Sequence, residues 1–118
     1  MRDVILRLDG RPVVVAHVAS NWRTRMRGLL FRRPLIAGEG LVLTRCGSVH
    51  TWLMRYAIDV VYLDADLRVV KVAAAVGRWR FSIGGRGARH TLELAAGEAA
   101  RLGLVPGARL ATAGERRL

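Results

Sequence analysis

Residues 3–18, "DVILRLDGRPVVVAHV", set Val4, Leu6 and Leu8 in alternation with Asp3, Ile5 and Arg7, the period of two that a half-buried strand requires. Asp9-Gly10 follows, and both residues tolerate positive φ, so the segment predicts a β-hairpin. Pro12 stands near the start of the return strand, which suggests an edge position. The period then changes. Val18, Trp22, Met26, Leu29 and Leu30 fall at helical spacing behind a Ser20 or Asn21 cap, and Pro34 stops any continuation. This predicts a short amphipathic helix of about three turns with its arginines off the apolar stripe. "GLVLTR" (40–45), "AIDVVYLD" (57–64) and "LRVVKVAAAV" (67–76) read as strands, the last two joined through "DAD" as another hairpin. The glycine- and arginine-rich stretch 77–90 reads as a mobile loop. "HTLEL" is a short strand, "AGEAARLG" a helix of one to two turns closed by Gly103, and "VPGARLATA" ends in a last strand. The sum is a mainly β fold, a compact antiparallel barrel or jelly-roll-like sandwich with one short amphipathic helix and a second, smaller one. A doubly wound parallel sheet is excluded, because it needs helices between most strands.

At 118 residues the chain makes a single domain, 1–118, long enough to bury a core without disulfide or metal. Its one cysteine rules out an intramolecular disulfide and fits a reducing compartment. No apolar run reaches signal-core or membrane-spanning length, so a cytoplasmic location is expected. Charge adds something the pattern does not show: 20 basic against 9 acidic residues give a net +11, and every basic residue but Lys71 is arginine. The arginine usage matches a GC-rich, bacterial coding background, but that background does not account for the excess over acid. A field this positive favours anionic partners such as a phosphorylated small molecule, an acidic protein or nucleic acid. No block of five or more basic residues and no nucleic-acid motif occurs, so the arginines do not form an evident arm.

The densest chemistry lies in "CGSVHTWLMRYAIDVVYLD", Cys46 to Asp64. Cys46 and His50 are four apart. On a straight strand that separates them by about 13 Å, too far for one metal or a thiolate–imidazole pair. Only Cys46, His17, His50 and His90 offer soft or imidazole ligands, and they are scattered, so no metal site is expected. As an enzyme, the chain would use Cys46 as nucleophile with His50 or His90 as base, Arg45 lowering the thiol pKa, and Asp59 nearby. Asp59 shares its strand face with Val61 and Leu63, so its carboxylate needs a partner; Arg55, Arg45 and Arg89 are candidates. Trp52 and Met54 read as core, whereas Trp79 between Arg78 and Arg80 is placed to stack on a base or sugar. "IGGRGAR" lacks the Lys-Ser/Thr of a phosphate-binding P-loop, and no cofactor motif is present.

Four ordered blocks resemble one known family. "RMRGLLFRRPL" (25–35), "GEGLVL", "HTWLMRYAIDVVYLD" and "LELAAGEAARLGLVPGARL" are similar to the successive segments of the domain of unknown function 192, DUF192, over about residues 3–112. Ala57 stands where that family usually has proline, and Ala108 where it usually has aspartate. The resemblance implies a compact, mainly β domain and implies no activity. The leading expectation is a non-enzymatic ligand- or partner-binding module favouring anions, using His50, Arg55, Asp59, Arg78, Trp79, Arg80 and Arg86. The alternatives are a small hydrolase built on Cys46, His50 and Asp59, and a basic nucleic-acid-associated protein.

Overall fold

A computed structural model of the chain describes residues 2–19, 34–50, 56–77, 81–112 and 118, with the backbone alone for 48–50 and 81. The predicted amphipathic helix lies outside these residues, as do Trp52, Met54, Arg55, Arg78, Trp79 and Arg80. Strands β1 (Arg2–Leu8) and β2 (Arg11–Ala19) form the expected antiparallel hairpin. Its turn residues Asp9 and Gly10 both take positive φ, 53° and 79°, as a two-residue type I′ turn demands. β3 (Glu39–Leu43) runs parallel to β2, and β8 (His90–Ala95) pairs antiparallel with β3. β5 (Ile58–Leu63) lies on the far side of β8 and carries β6 (Val69–Val76) as its outer neighbour. With β9 (Leu110–Thr112) beside β1, the seven-stranded order is β6-β5-β8-β3-β2-β1-β9. β4 (Ser48–His50) and β7 (Phe81–Ile83) form a separate two-stranded ribbon.

The sheet curls into a half-barrel whose two outer strands meet at one end. Arg68 bridges to Arg109, and Val69 N–H donates to the Ala108 carbonyl at 2.8 Å while Leu110 N–H donates to that of Leu67 at 2.9 Å. Val4, Leu6, Val14, Ala16, Val18, Val42, Val61, Leu63, Leu92, Leu94 and Leu110 fill the interior. The helix α1 (Glu98–Leu102) lays Ala99 against them, and Leu104 follows. Gly103 ends α1 in the left-handed conformation, φ 74°. Among the described residues no helix is long and apolar enough to cross a membrane.

Two sequence expectations are corrected. Pro12 is not on an edge strand, since β2 lies between β1 and β3. It is tolerated because the β2–β3 ladder begins only at Val15 and the β1–β2 register slips between Leu6 and Arg7, so no ladder bond is asked of it. The stretch 77–90 is not wholly a loop: Phe81–Ile83 pairs with Ser48–His50.

The ribbon explains why β3 and β5 carry apolar residues on both faces. On their outer side Leu41, Leu43, Ile58, Val60 and Tyr62 form a second buried cluster. The ribbon is tied to that face by Tyr62, whose hydroxyl donates to Ser82 Oγ at 2.7 Å, and by Lys71, whose Nζ donates to the Ile83 carbonyl at 2.7 Å. Gly84, just past β7, is required for the approach: a Cβ there would stand 2.5 Å from the Tyr62 ring.

Candidate functional site

Alternation along β5 separates the sequence-proposed residues. Ile58, Val60 and Tyr62 face the ribbon, so Asp59 faces the half-barrel interior with Val61 and Leu63. Its carboxylate is 1% exposed and accepts three backbone N–H groups: Ala75 at 2.8 Å on Oδ1, and Gly97 at 3.0 Å and Ala99 at 2.9 Å on Oδ2. Ala75 sits in a bulge of β6 at φ 50°, and Gly97 and Ala99 open α1. Asp59 thus caps the helix and holds the bulge from a distant strand. Cys46 lies on the other side of the sheet, half-buried against the second cluster, and the extended Ser48–His50 carries the chain onward from it at about 3.3 Å per residue. The structure therefore does not gather Cys46, His50 and Asp59 at one point.

It gathers other residues instead. The segment 44–47, between β3 and β4, lies against the segment 84–89, between β7 and β8. Gly84 N–H donates to the Gly47 carbonyl at 2.8 Å, and Thr91 Oγ1 donates to the Cys46 carbonyl at 2.6 Å. Arg89 N–H donates to the Leu63 carbonyl at 2.8 Å, and Ala88 N–H closes a turn onto the Gly85 carbonyl at 3.2 Å. Gly87, third in that turn, takes φ 87°, the conformation a type II turn requires. Three arginines stand exposed on these joined segments, Arg45, Arg86 and Arg89. Between them His90 is buried, and its Nδ1 accepts the Arg45 N–H at 3.1 Å. Burial lowers the His90 pKa, and the charges of Arg89 and Arg45 lower it further. Among the described residues no carboxylate pairs with Arg45, Arg86 or Arg89.

Of this cluster the sequence reading placed only Arg86 in a binding set; Arg45, Arg89 and His90 figured there as possible accessories to Cys46 or Asp59. Their convergence depends on the pairing of β3 with β8, some fifty residues apart, which no local pattern announces. A visible signal was available in the two arginine-bearing breaks, "TRCG" and "GGRGARH", each adjoining a buried strand.

A second polar group was also missed. On the outer face of β1, β2 and β3, His17 bridges two carboxylates, Nδ1 to Asp3 Oδ1 at 2.7 Å and Nε2 to Glu39 Oε2 at 3.0 Å. Both ring nitrogens are engaged, which suits the imidazolium and leaves neither for a metal. Among the described residues no group of three metal-binding side chains occurs.

The fold is shared with two solved structures. A protein of unknown function from Novosphingobium aromaticivorans superposes with a TM-score of 0.78 at 22% identity, covering 92% of this chain and 83% of that one. A protein of Sinorhizobium meliloti, described as a proposed transcription regulator, superposes with a TM-score of 0.80 at 24% identity over 97% of this chain and 96% of that one. At these identities the likeness speaks to fold alone. Two UPF0127 proteins are closer in sequence. That of Pyrococcus furiosus is 37% identical over 78 residues, 64% of this chain and 66% of the relative. That of Pyrococcus horikoshii is 34% identical over 79 residues, 64% of this chain and 68% of the relative. The chain thus spans just under two thirds of the Pyrococcus furiosus protein. The family model of DUF192, described as an uncharacterized ACR, matches residues 4–112, nearly the whole β architecture described above, and the chain belongs to that family.

Proposed function

We propose that the chain is a non-enzymatic binding module for an anionic ligand, seated where the segments 44–47 and 84–89 meet. The observation that carries this reading is the trio Arg45, Arg86 and Arg89, exposed on two joined segments with no carboxylate partner among the described residues. Guanidinium groups without internal counter-charges form a standing positive field, which anions approach and fixed hydrogen-bond donors then hold. Arg86 was among the residues expected from sequence. Arg78, Trp79 and Arg80 precede β7 in the sequence and His50 is the last residue of β4, so the proposal extends to them. The lone cysteine supports a reducing, cytoplasmic setting.

The test is titration with small anions at low salt, in the wild type and in Arg45→Gln, Arg86→Gln and Arg89→Gln. Saturable binding that weakens in each variant supports the module; affinity unchanged in all three defeats it. The net charge of +11, with the role proposed for the Sinorhizobium meliloti protein, favours nucleic acid as a second reading. That reading requires oligonucleotide affinity to fall steeply with salt.

A further inference from the structure

We propose that the anion taken at this site is a phosphate group and that His90 is the donor that reads it, an inference that rests on the anion-binding reading above. His90 is only 6% exposed. Its Nδ1 accepts the Arg45 N–H, so that nitrogen carries no hydrogen, and the one N–H of the neutral ring is on Nε2. Among the described residues no acceptor meets Nε2–H. The residue is nine-tenths buried, yet Nε2 is not sealed from solvent, so a ligand oxygen can reach its N–H. The neighbourhood adds donors and cations to it. Arg45 and Arg89 lie close enough for their charges to act on the imidazole.

An oxyanion matches these groups together. It accepts from Nε2–H and neutralises the flanking guanidiniums. The count of charges and oxygens then chooses among oxyanions. A carboxylate has one charge and two oxygens, which a single arginine fork uses up. A phosphate monoester carries close to two charges at neutral pH and three terminal oxygens, enough to engage two guanidiniums and an imidazole N–H. A phosphodiester offers one charge and two free oxygens, a poorer match.

The backbone supports this arrangement. Arg45 is held at φ 53°, a left-handed conformation that is strained for a side chain other than glycine, at about 1 to 2 kcal/mol. That conformation goes with the bond from its N–H to His90, which fixes the tautomer that leaves Nε2 as the donor. Backbone strain of this kind, beside a reachable donor flanked by cations, is the pattern of a site shaped for a ligand. Arg86, at the second position of the 85–88 turn, adds charge at the rim.

Phenyl phosphate and benzoate share one aromatic body and differ in the anionic group, so they separate the possibilities. Each is titrated into the full chain while the imidazole 15N–1H signals are followed. The expected result is saturable phenyl phosphate binding and benzoate binding at least about tenfold weaker. The His90 Nε2–H resonance should move and sharpen as its proton gains an acceptor. Arg45→Gln and Arg89→Gln should each weaken phenyl phosphate by about tenfold or more, the loss of a charge-assisted hydrogen bond. The His90 signal needs no substitution there, so the test survives a variant that fails to fold. Benzoate binding as tightly as phenyl phosphate, or an unmoved His90 signal with phosphate bound, overturns the phosphate assignment and leaves the anion module standing. A single-stranded oligonucleotide that binds more tightly than phenyl phosphate without moving His90 likewise overturns it. Should neither small anion bind and the arginine variants bind oligonucleotide as the wild type does, the module itself falls with it.

Discussion

Asp59 concentrates three tertiary bonds on one carboxylate, and each comes from a backbone N–H of another element. Asparagine keeps one acceptor oxygen and turns an amide donor toward at least one of those N–H groups. Asp59→Asn should therefore destabilise the fold by about 2 to 4 kcal/mol, read as a lower urea midpoint with unchanged slope. A loss below about 0.5 kcal/mol would show that the cap contributes little. Glycine positions give a second contrast. A Cβ at Gly84 meets the Tyr62 ring at 2.5 Å and the Ala88 Cβ at 2.6 Å, atoms that move only with ring or backbone. At Gly40 the nearest atoms are the Leu92 Cδ1 at 2.8 Å and Val14 Cγ1 at 3.0 Å, methyl groups at the ends of side chains. Gly84→Ala should cost more than Gly40→Ala, about 2 to 3 against about 1 to 2 kcal/mol, in thermal melts. Asp59 was partly legible: its place on an apolar strand face announced that it needed a partner, while the partner's identity, three backbone amides on two other elements, did not.

At the scale of elements, two histidines pull stability in opposite directions with pH. The hydrogen bonds to Asp3 and then Glu39 raise the His17 pKa above its ordinary value, so the clamp across β1, β2 and β3 is fully present below about pH 6.5 and is lost as pH rises through the folded value. Burial, with Arg89 and Arg45, lowers that of His90, so the unfolded chain takes up a proton that the folded chain resists, and stability falls as pH drops below about 6.5. His17→Gln should thus remove the alkaline loss, an effect within about 1 kcal/mol because the pair is partly solvated, and leave stability rising from pH 5.5 to 7.5. Equilibrium unfolding at three pH values checks the sign; a variant whose stability still declines above pH 6.5 would remove His17 as the source. The hairpin β1–β2 was readable from alternation and Asp9-Gly10. The ribbon was not, because β4 and β7 are three residues each and gain their stability from the Tyr62 face rather than from their own pattern.

For the whole molecule the governing quantity is the net +11. Self-repulsion opposes the folded state, and salt screens it over a Debye length of about 10 Å at 0.1 M. Raising sodium chloride from 20 to 500 mM, about a fivefold shortening of that length, should raise the melting temperature. A fall would mean that ion pairs, not repulsion, dominate the charge balance. The sequence by itself determined the mainly β class, the hairpin with its turn, the strands of the centre and the glycine-closed helix. These follow from periodicity and from residues whose backbone preferences are local. Which strands lie side by side was decided only in the tertiary structure, and with it which face Asp59 looks into and which arginines stand together. Pairing β3 with β8 brings Arg45 to His90 across forty-five residues, and adjacency of that kind comes from burying two faces of one sheet at once, a condition on the whole chain that no window of it contains.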